Sequence, residues 1–415
     1  MAQTTISDAA VTATNTDTEA QPPLFPFEGI CAGDDYVAEY EHYRQQCPVP
    51  RVRLANGGEA YVVMRHADTR RVLAEPVFDR EGCMDPSVPL LLEGSRIPGL
   101  LVNIEGKEHL RQRKLTVRAF TPGKVAQFRP RIGQIANELV DAMLEQGPPA
   151  DFVTSFGTPF PARLIFEIFG VPTTDIGRLM DWLTKILSFG RFTPEEQGQA
   201  FQEVTGYFAA LVARKRAEPG DDLTSALIQS RDGDDKFTDE ELVSNIWVNV
   251  SGGTVASSNI LPNMIATFSR HPDQWELLKQ RRELIPNAVE EVLRYVAAAT
   301  TSFERITTEP VELSGTALPK GSVVIPLLSS ANFDADAYRE PERFDVTRKL
   351  ESPHLGYGHG PHRCVGAPLG TAELEVALEV LLARIPDLRV AIPHDQLPWD
   401  EGVAMRRLVC LPVTW

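Results

Sequence analysis

Near the end of this chain a lone cysteine sits in the segment Tyr357-Gly358-His359-Gly360-Pro361-His362-Arg363-Cys364-Val365-Gly366-Ala367, and a helix-like apolar run begins directly after it. No other stretch restricts the fold so tightly. Glycine adopts backbone angles that other residues resist, and without a Cβ the main chain can lie close to a flat ligand. A cysteine in such a turn can accept backbone N–H groups and stand at the positive end of the following helix, which lowers its pKa and keeps it anionic. An anionic sulfur is a strong iron ligand. The competing reading is a buried, inert cysteine in a glycine-rich turn, the usual default for a lone Cys.

The rest of the chain reads as mainly helical with a minor β part. Apolar residues recur at three- and four-residue spacing over 132–144, 161–168, 201–216, 240–270 and 286–295. Strands are fewer: 51–54 and 60–63 around the turn Asn56-Gly57-Gly58, then 311–313, 323–327 and 408–413. Residues 84–101, with three prolines and two glycines among Leu and Ile and no clean period, read as a long apolar loop, a common cover for a binding pocket. Residues 1–22 lack both a basic start and an apolar run, so they read as a disordered tail, with 23–415 as a single domain.

Charge removes several function classes. A formal net charge of −16 disfavours nucleic acid, whose phosphates select a basic face, and disfavours anionic membranes. Five scattered cysteines, Cys31, Cys47, Cys83, Cys364 and Cys410, indicate neither a disulfide framework nor a zinc site, which fits a reducing cytoplasm. No run is apolar enough to span a bilayer.

The cysteine segment resembles the haem-binding signature of the cytochrome P450 family, Phe-Gly-x-Gly-x-x-x-Cys-x-Gly, with Tyr357 in place of Phe and with Gly358, Cys364 and Gly366 in register. Three further motifs follow the family's order. Glu291-Val292-Leu293-Arg294 resembles its Glu-x-x-Arg, where three-residue spacing puts both side chains on one helix face. Pro341-Glu342-Arg343-Phe344 resembles the segment whose arginine, here Arg343, joins that pair in a structural lock beneath the haem. His109 and Arg113 match a helix reaching the haem propionates, and Arg305 and His362 match two further propionate partners. The resemblance implies the cytochrome P450 fold, with a long central helix over the haem and a proximal cysteine loop. It also implies haem b (iron protoporphyrin IX) ligated by Cys364, whose thiolate favours O–O cleavage, a property general to this family.

One region departs from the family. Gly252 and Gly253 match the small pair that makes room for oxygen, but Val255 and Ala256 occupy the positions of the usual acid and threonine. No Asp or Glu lies between Leu242 and Pro272, so no local shift restores the acid. Thr254, Ser257 and Ser258 offer hydroxyls on different helix faces, so at most one lines the pocket. Bonding back to carbonyls is their ordinary role. A substrate hydroxyl, N–H or water is then expected to carry the protons.

By the same resemblance, substrate contacts fall in 84–101, 189–201, 248–257 and 300–303 and at Ala404 and Met405, with Phe189, Phe192, Phe303 and Met405 candidates for an apolar wall or for plain core. Arg406 is open to either a carboxylate or a surface role. Electrons are expected from a separate ferredoxin and ferredoxin reductase, drawn to a basic patch of His109, Arg111, Arg113, Lys114 and Arg363. The expected activity is oxidation of a small apolar or aromatic secondary metabolite by a monooxygenase. The alternatives are oxidative aromatic coupling without oxygen insertion and a non-catalytic haem sensor.

Overall fold

The computed structural model describes residues 21–27, 36–91, 95–97, 99–188, 191–230, 235–296, 299–400 and 405–415. The expected tail lies almost wholly outside them. All five periodic stretches become helices: Pro122–Gln146, Pro159–Phe169, Pro194–Ala217, Asp239–Arg270 and Ile285–Tyr295. Four of them carry proline in the first two positions, where its missing N–H has no helical partner to lose. Helices Gly106–Val117, Ile176–Ile186 and Ala367–Arg384 join them around the site.

The strands are short. A six-stranded mixed sheet runs in the order Leu24–Phe25, Arg51–Leu54, Glu59–Val63, Val323–Pro326, Arg305–Thr307, Phe78–Asp79. Its expected hairpin turns at Gly57, whose φ of 89° suits glycine. The strand expected over 408–413 is displaced to Pro412–Thr414, which pairs with Arg389–Val390 and Ala150–Asp151. Leu408 makes only an isolated bridge to Trp399, and the N–H of Val409 is drawn to the carbonyl of Pro398, so ladder pairing begins beyond them.

Helix Asp239–Arg270 crosses the body of the molecule. A capping box between Thr238 and Glu241 starts it, and three acids in its first turn complement the helix dipole. Beyond Leu242 its side chains are mostly buried, the mark of a helix inside the core. It carries Pro262 internally, and Gly157 receives that ring: a Cβ there would lie 2.8 Å from Pro262 Cγ. Gly253 likewise allows contact with helix Pro159–Phe169, where an added Cβ would meet Ile165 Cδ1 at 2.8 Å.

Candidate active site

The cysteine loop is a chain of backbone bonds. The N–H of Gly358 donates to Leu355 O at 2.8 Å, that of Arg363 to Gly360 O at 3.1 Å, and that of Cys364 to Tyr357 O at 2.8 Å. Gly358 and Gly360 take φ of 69° and 70°. A side chain at Gly360 would also strike Leu73 O at 2.3 Å, so the glycine is required twice over. Tyr357 fits in place of Phe because its hydroxyl lies 3.2 Å from Thr371 Oγ1 and Gly370 leaves it room.

The thiol of Cys364 is surrounded as its motif implies, but the balance differs from expectation. Burial raises its pKa, and this outweighs the lowering by the N–H of Gly366, by Arg363 and Arg113, and by the N–H of Ala367. The charge of a coordinated metal ion ionises such a thiol outright.

The predicted basic residues gather beside it. The rings of His109 and His362 lie with centroids 4.1 Å apart and planes tilted by 36°, and Arg113 Nη2 donates to Arg363 O at 2.6 Å. His362 Nε2 lies 3.0 Å from Glu105 Oε1. Burial, then neighbouring His362 and Arg113, push His109 down to about 4. Arg305, buried beside Arg80, is pushed down to about 10. His109 Nε2 is buried without a hydrogen-bond partner. Depressed basic groups with an unmatched donor are what an anion would relieve.

Beneath them Glu291 is saturated. Arg294 grips it bidentately, Nε and Nη2 each at 2.8 Å, and Arg348 Nε and the N–H of Asp345 each reach Oε1 at 3.0 Å. The third member of the lock is thus Arg348, not Arg343. The side chain of Arg343 is 60% exposed and points to Asp345, while its carbonyl accepts from Arg294 and Arg348. A turn closed by the N–H of Arg348 on Asp345 O carries the chain back, so the later arginine faces inward.

The crossing helix gives the site its other wall. A Cβ at Gly252 would meet nothing within 4 Å, whereas Gly253 serves helix packing. Val255 lines a cavity of about 100 Å³ with Met180, Leu183, Leu187, Ser258 and Met405, and Ala256 offers no polar atom. Ser257 does not bond back to the helix: its Oγ donates at 2.7 Å to Glu373 Oε2. Glu373 comes from helix Ala367–Arg384, is 1% exposed, and is pushed up to about 8 by burial. Its Oε1 and the hydroxyls of Thr254 and Ser258 are buried without partners. An acid therefore reaches this helix from elsewhere in the chain. The run Ala372–Val376 holds two glutamates, Glu373 and Glu375, and nothing local marks the first as the buried one, since its pairing with Ser257 spans 116 residues.

Of the expected substrate contacts, Phe303 is 40% exposed beneath Arg80, and Met405 Sδ lies 3.6 Å from Asn259 Nδ2. Ala404 and Phe189 lie outside the described residues, as does part of 84–101. Arg406 is neither exposed nor free for a ligand: it is buried with its guanidinium over Trp399.

Residues 29–402 match the family model for cytochrome P450. The chain is a cytochrome P450. It is 38% identical to the mycinamicin IV hydroxylase/epoxidase of Micromonospora griseorubida, over 96% of this chain and all of that protein. It is 37% identical to the nocardicin C N-oxygenase of Nocardia uniformis subsp. tsuyamanensis, over 97% of this chain and all of that protein. The crystal structure of cytochrome P450mel 107F1, described as having biaryl coupling reactivity, superposes with a TM-score of 0.87 at 32% identity, over 93% of this chain and 99% of that one. The protein is thus a P450 monooxygenase whose cofactor is haem b. The residues present suit that cofactor. The sulfur of Cys364 and the unmatched His109 Nε2 supply a ligand and an acid-binding donor. Gly252 and Gly358 leave open space, and a Cβ at Gly366 would meet only Cys364 Sγ, at 3.9 Å. Cys364 would ligate the iron; His109, Arg113, Arg305 and His362 would hold the propionates. Among the described residues no helix is long and apolar enough to cross a membrane.

Proposed function

We propose that this P450, acting as one cytoplasmic domain spanning 23–415, oxidises a small apolar or aromatic secondary metabolite with electrons from a ferredoxin and its reductase. Protons reach the site through Ser257 and Glu373 together with water or the substrate's own hydroxyl. The observation carrying this reading is the 2.7 Å contact between Ser257 Oγ and Glu373 Oε2 on a helix that lacks the usual acid and threonine. Haem held by Cys364 supplies the oxidation when bound. The chain holds and moves the protons. With its pKa near 8, Glu373 is mostly protonated at neutral pH, and its carboxyl O–H can donate to Ser257 Oγ. Ser257 in turn passes its proton toward the pocket. Val255, Met180, Leu183, Leu187 and Met405 give the cavity beside the helix an apolar side.

For the electron donor, support comes from basic groups on the cysteine side of an acidic protein. Arg111 contributes less to such a patch than expected, because Glu108 and Glu241 neutralise it. Aromatic coupling is a second reading, favoured by the likeness to the biaryl-coupling enzyme.

The reduced carbon-monoxide difference spectrum of the parent and of Cys364→Ala tests the cofactor assignment. A thiolate-type Soret band is expected in the parent and absent in the variant; a parent without the band overturns the reading. Mass spectrometry of products then separates oxygen insertion from coupling.

A further inference from the structure

Just before the cysteine loop, the buried ring of His354 stands between a half-exposed carboxylate and the loop's own backbone, and neither haem binding nor proton delivery uses it. Its Nδ1 accepts the N–H of Gly356 at 3.0 Å, and its Nε2 lies 3.3 Å from Glu290 Oε2. Gly356 is pressed against the helix that carries Glu290: a Cβ there would strike the carbonyl oxygen of Leu293. The flanking backbone is tied as well. Pro353 O accepts from the hydroxyl of Tyr338 and from His66 Nε2, each at 3.0 Å, and the N–H of Leu355 donates to Asn332 Oδ1 at 2.7 Å.

A ring nitrogen that accepts a hydrogen bond carries no proton. Gly356 therefore places the proton of the neutral ring on Nε2, where it faces Glu290, and a second proton on Nδ1 would confront the Gly356 N–H. The hydrogen bond from His354 is the largest influence holding the Glu290 carboxyl below its usual range. From the ring the path to the iron ligand is short. The N–H of Gly358 closes a turn on Leu355 O, and inside that turn the carbonyl of Tyr357 accepts the N–H of Cys364. A displacement at Gly356 is thus passed through the turn to the backbone of the cysteine.

We propose that His354 is a positioning residue for the Cys364 ligand: Glu290 orients its neutral ring, and Nδ1 holds the Gly356 N–H so that the turn over 355–358 presents the cysteine backbone to the cofactor. This deepens the P450 reading given above and rests on it. What the device needs is an acceptor where Nδ1 stands, and not an aromatic ring as such.

The test follows the reduced carbon-monoxide complex of the haem-loaded enzyme in mild urea and reads the rate at which the thiolate-type Soret band gives way to the non-thiolate one. His354→Asn puts an amide oxygen where Nδ1 stands, whereas His354→Gln keeps a donor toward Glu290 and offers Gly356 no acceptor. Both remove the ring. The Gln variant is expected to lose the thiolate band about tenfold faster than the parent, the order set by one buried donor left unpaired, while the Asn variant stays within about twofold. Equal rates in the two variants, the mark of a plain packing role, overturn the proposal, as does a parental rate in the Gln variant. If the Gln variant does not fold, Glu290→Leu on the half-exposed side decides: the ring loses its orienting carboxylate, and the band should fade about threefold faster. A parental rate there overturns the proposal too. A parent lacking the thiolate band defeats the haem reading instead. Hydrogen exchange at the Gly356 amide then decides the role of His354 by itself, faster in the Gln than in the Asn variant if the ring holds that N–H and equal in both if it does not.

Discussion

Two buried carboxylates on neighbouring helices are satisfied to opposite degrees. Glu291 and Glu373 are each 1% exposed, yet the first is matched by two arginines and a backbone N–H, whereas the second has one serine and an unpartnered oxygen. A saturated carboxylate fixes the chain around it. An under-satisfied one is cheaper to keep protonated, and a proton kept near neutral pH can be delivered. The same residue type is thus a rivet below the cofactor site and a proton store beside it, and the number of donors decides which.

The hardest way to break this comparison is Glu291→Ala. It leaves Arg294 and Arg348 buried without their carboxylate, and removing one partner of such a cluster costs roughly 3–5 kcal/mol. Since Arg294 also holds the carbonyls of Asn332 and Pro341, the chain leading to the cysteine loop should loosen with it. Thermal unfolding and haem content should both fall sharply. A variant that keeps parental stability and haem would show that the rivet is not needed.

A smaller effect, in rate and not in folding, is expected of Glu373→Gln. The amide keeps the shape and can still meet Ser257, but stores no proton, so product formation should slow by about a hundredfold. In the parent, turnover should decline as pH rises through about 8, where Glu373 ionises; the variant should lack that limb. Stability gives an independent check with a definite sign. Because the folded pKa is raised, the folded state binds the extra proton, and stability is lost as pH climbs from the ordinary carboxylate range through about 8. Chemical denaturation of Glu373→Gln should be flatter over that window. Unchanged turnover and an unchanged stability profile would together remove Glu373 from the mechanism.

The two carboxylates were not equally legible in the sequence. Glu291 announced itself because its partner Arg294 is one helical turn away, a spacing that can be read directly. The cysteine loop was legible for the same reason, its constraints being local glycines. Glu373 meets Ser257 only after two helices pack, and no periodicity encodes that meeting. The absence of an acid from 242–272 was read correctly, yet it described one helix and not the space around it. The fold fared like Glu291: long periodic stretches gave helices, while strands of two or three residues, such as Phe78–Asp79 and Arg305–Thr307, carry too few positions for alternation to appear.

The smallest expected effect sharpens the comparison most finely, because it separates two arginines five residues apart. Arg343 was assigned to the lock from its motif, but its side chain pairs with Asp345 at 3.5 Å on the surface. Exposed pairs of this kind are worth about 0–1 kcal/mol. The parts of residue 343 that matter to Arg294 and Arg348 are backbone atoms, which alanine retains. Arg343→Ala should therefore shift the urea midpoint by no more than about 0.5 kcal/mol equivalent. Arg348→Ala removes a charged donor from a buried carboxylate and should cost about 1.5–3 kcal/mol. If the order is reversed, the inward arginine has been misassigned and the donors around Glu291 must be recounted. If it holds, the donor count around each carboxylate, which motif position alone did not give, is what distinguishes the rivet from the proton store.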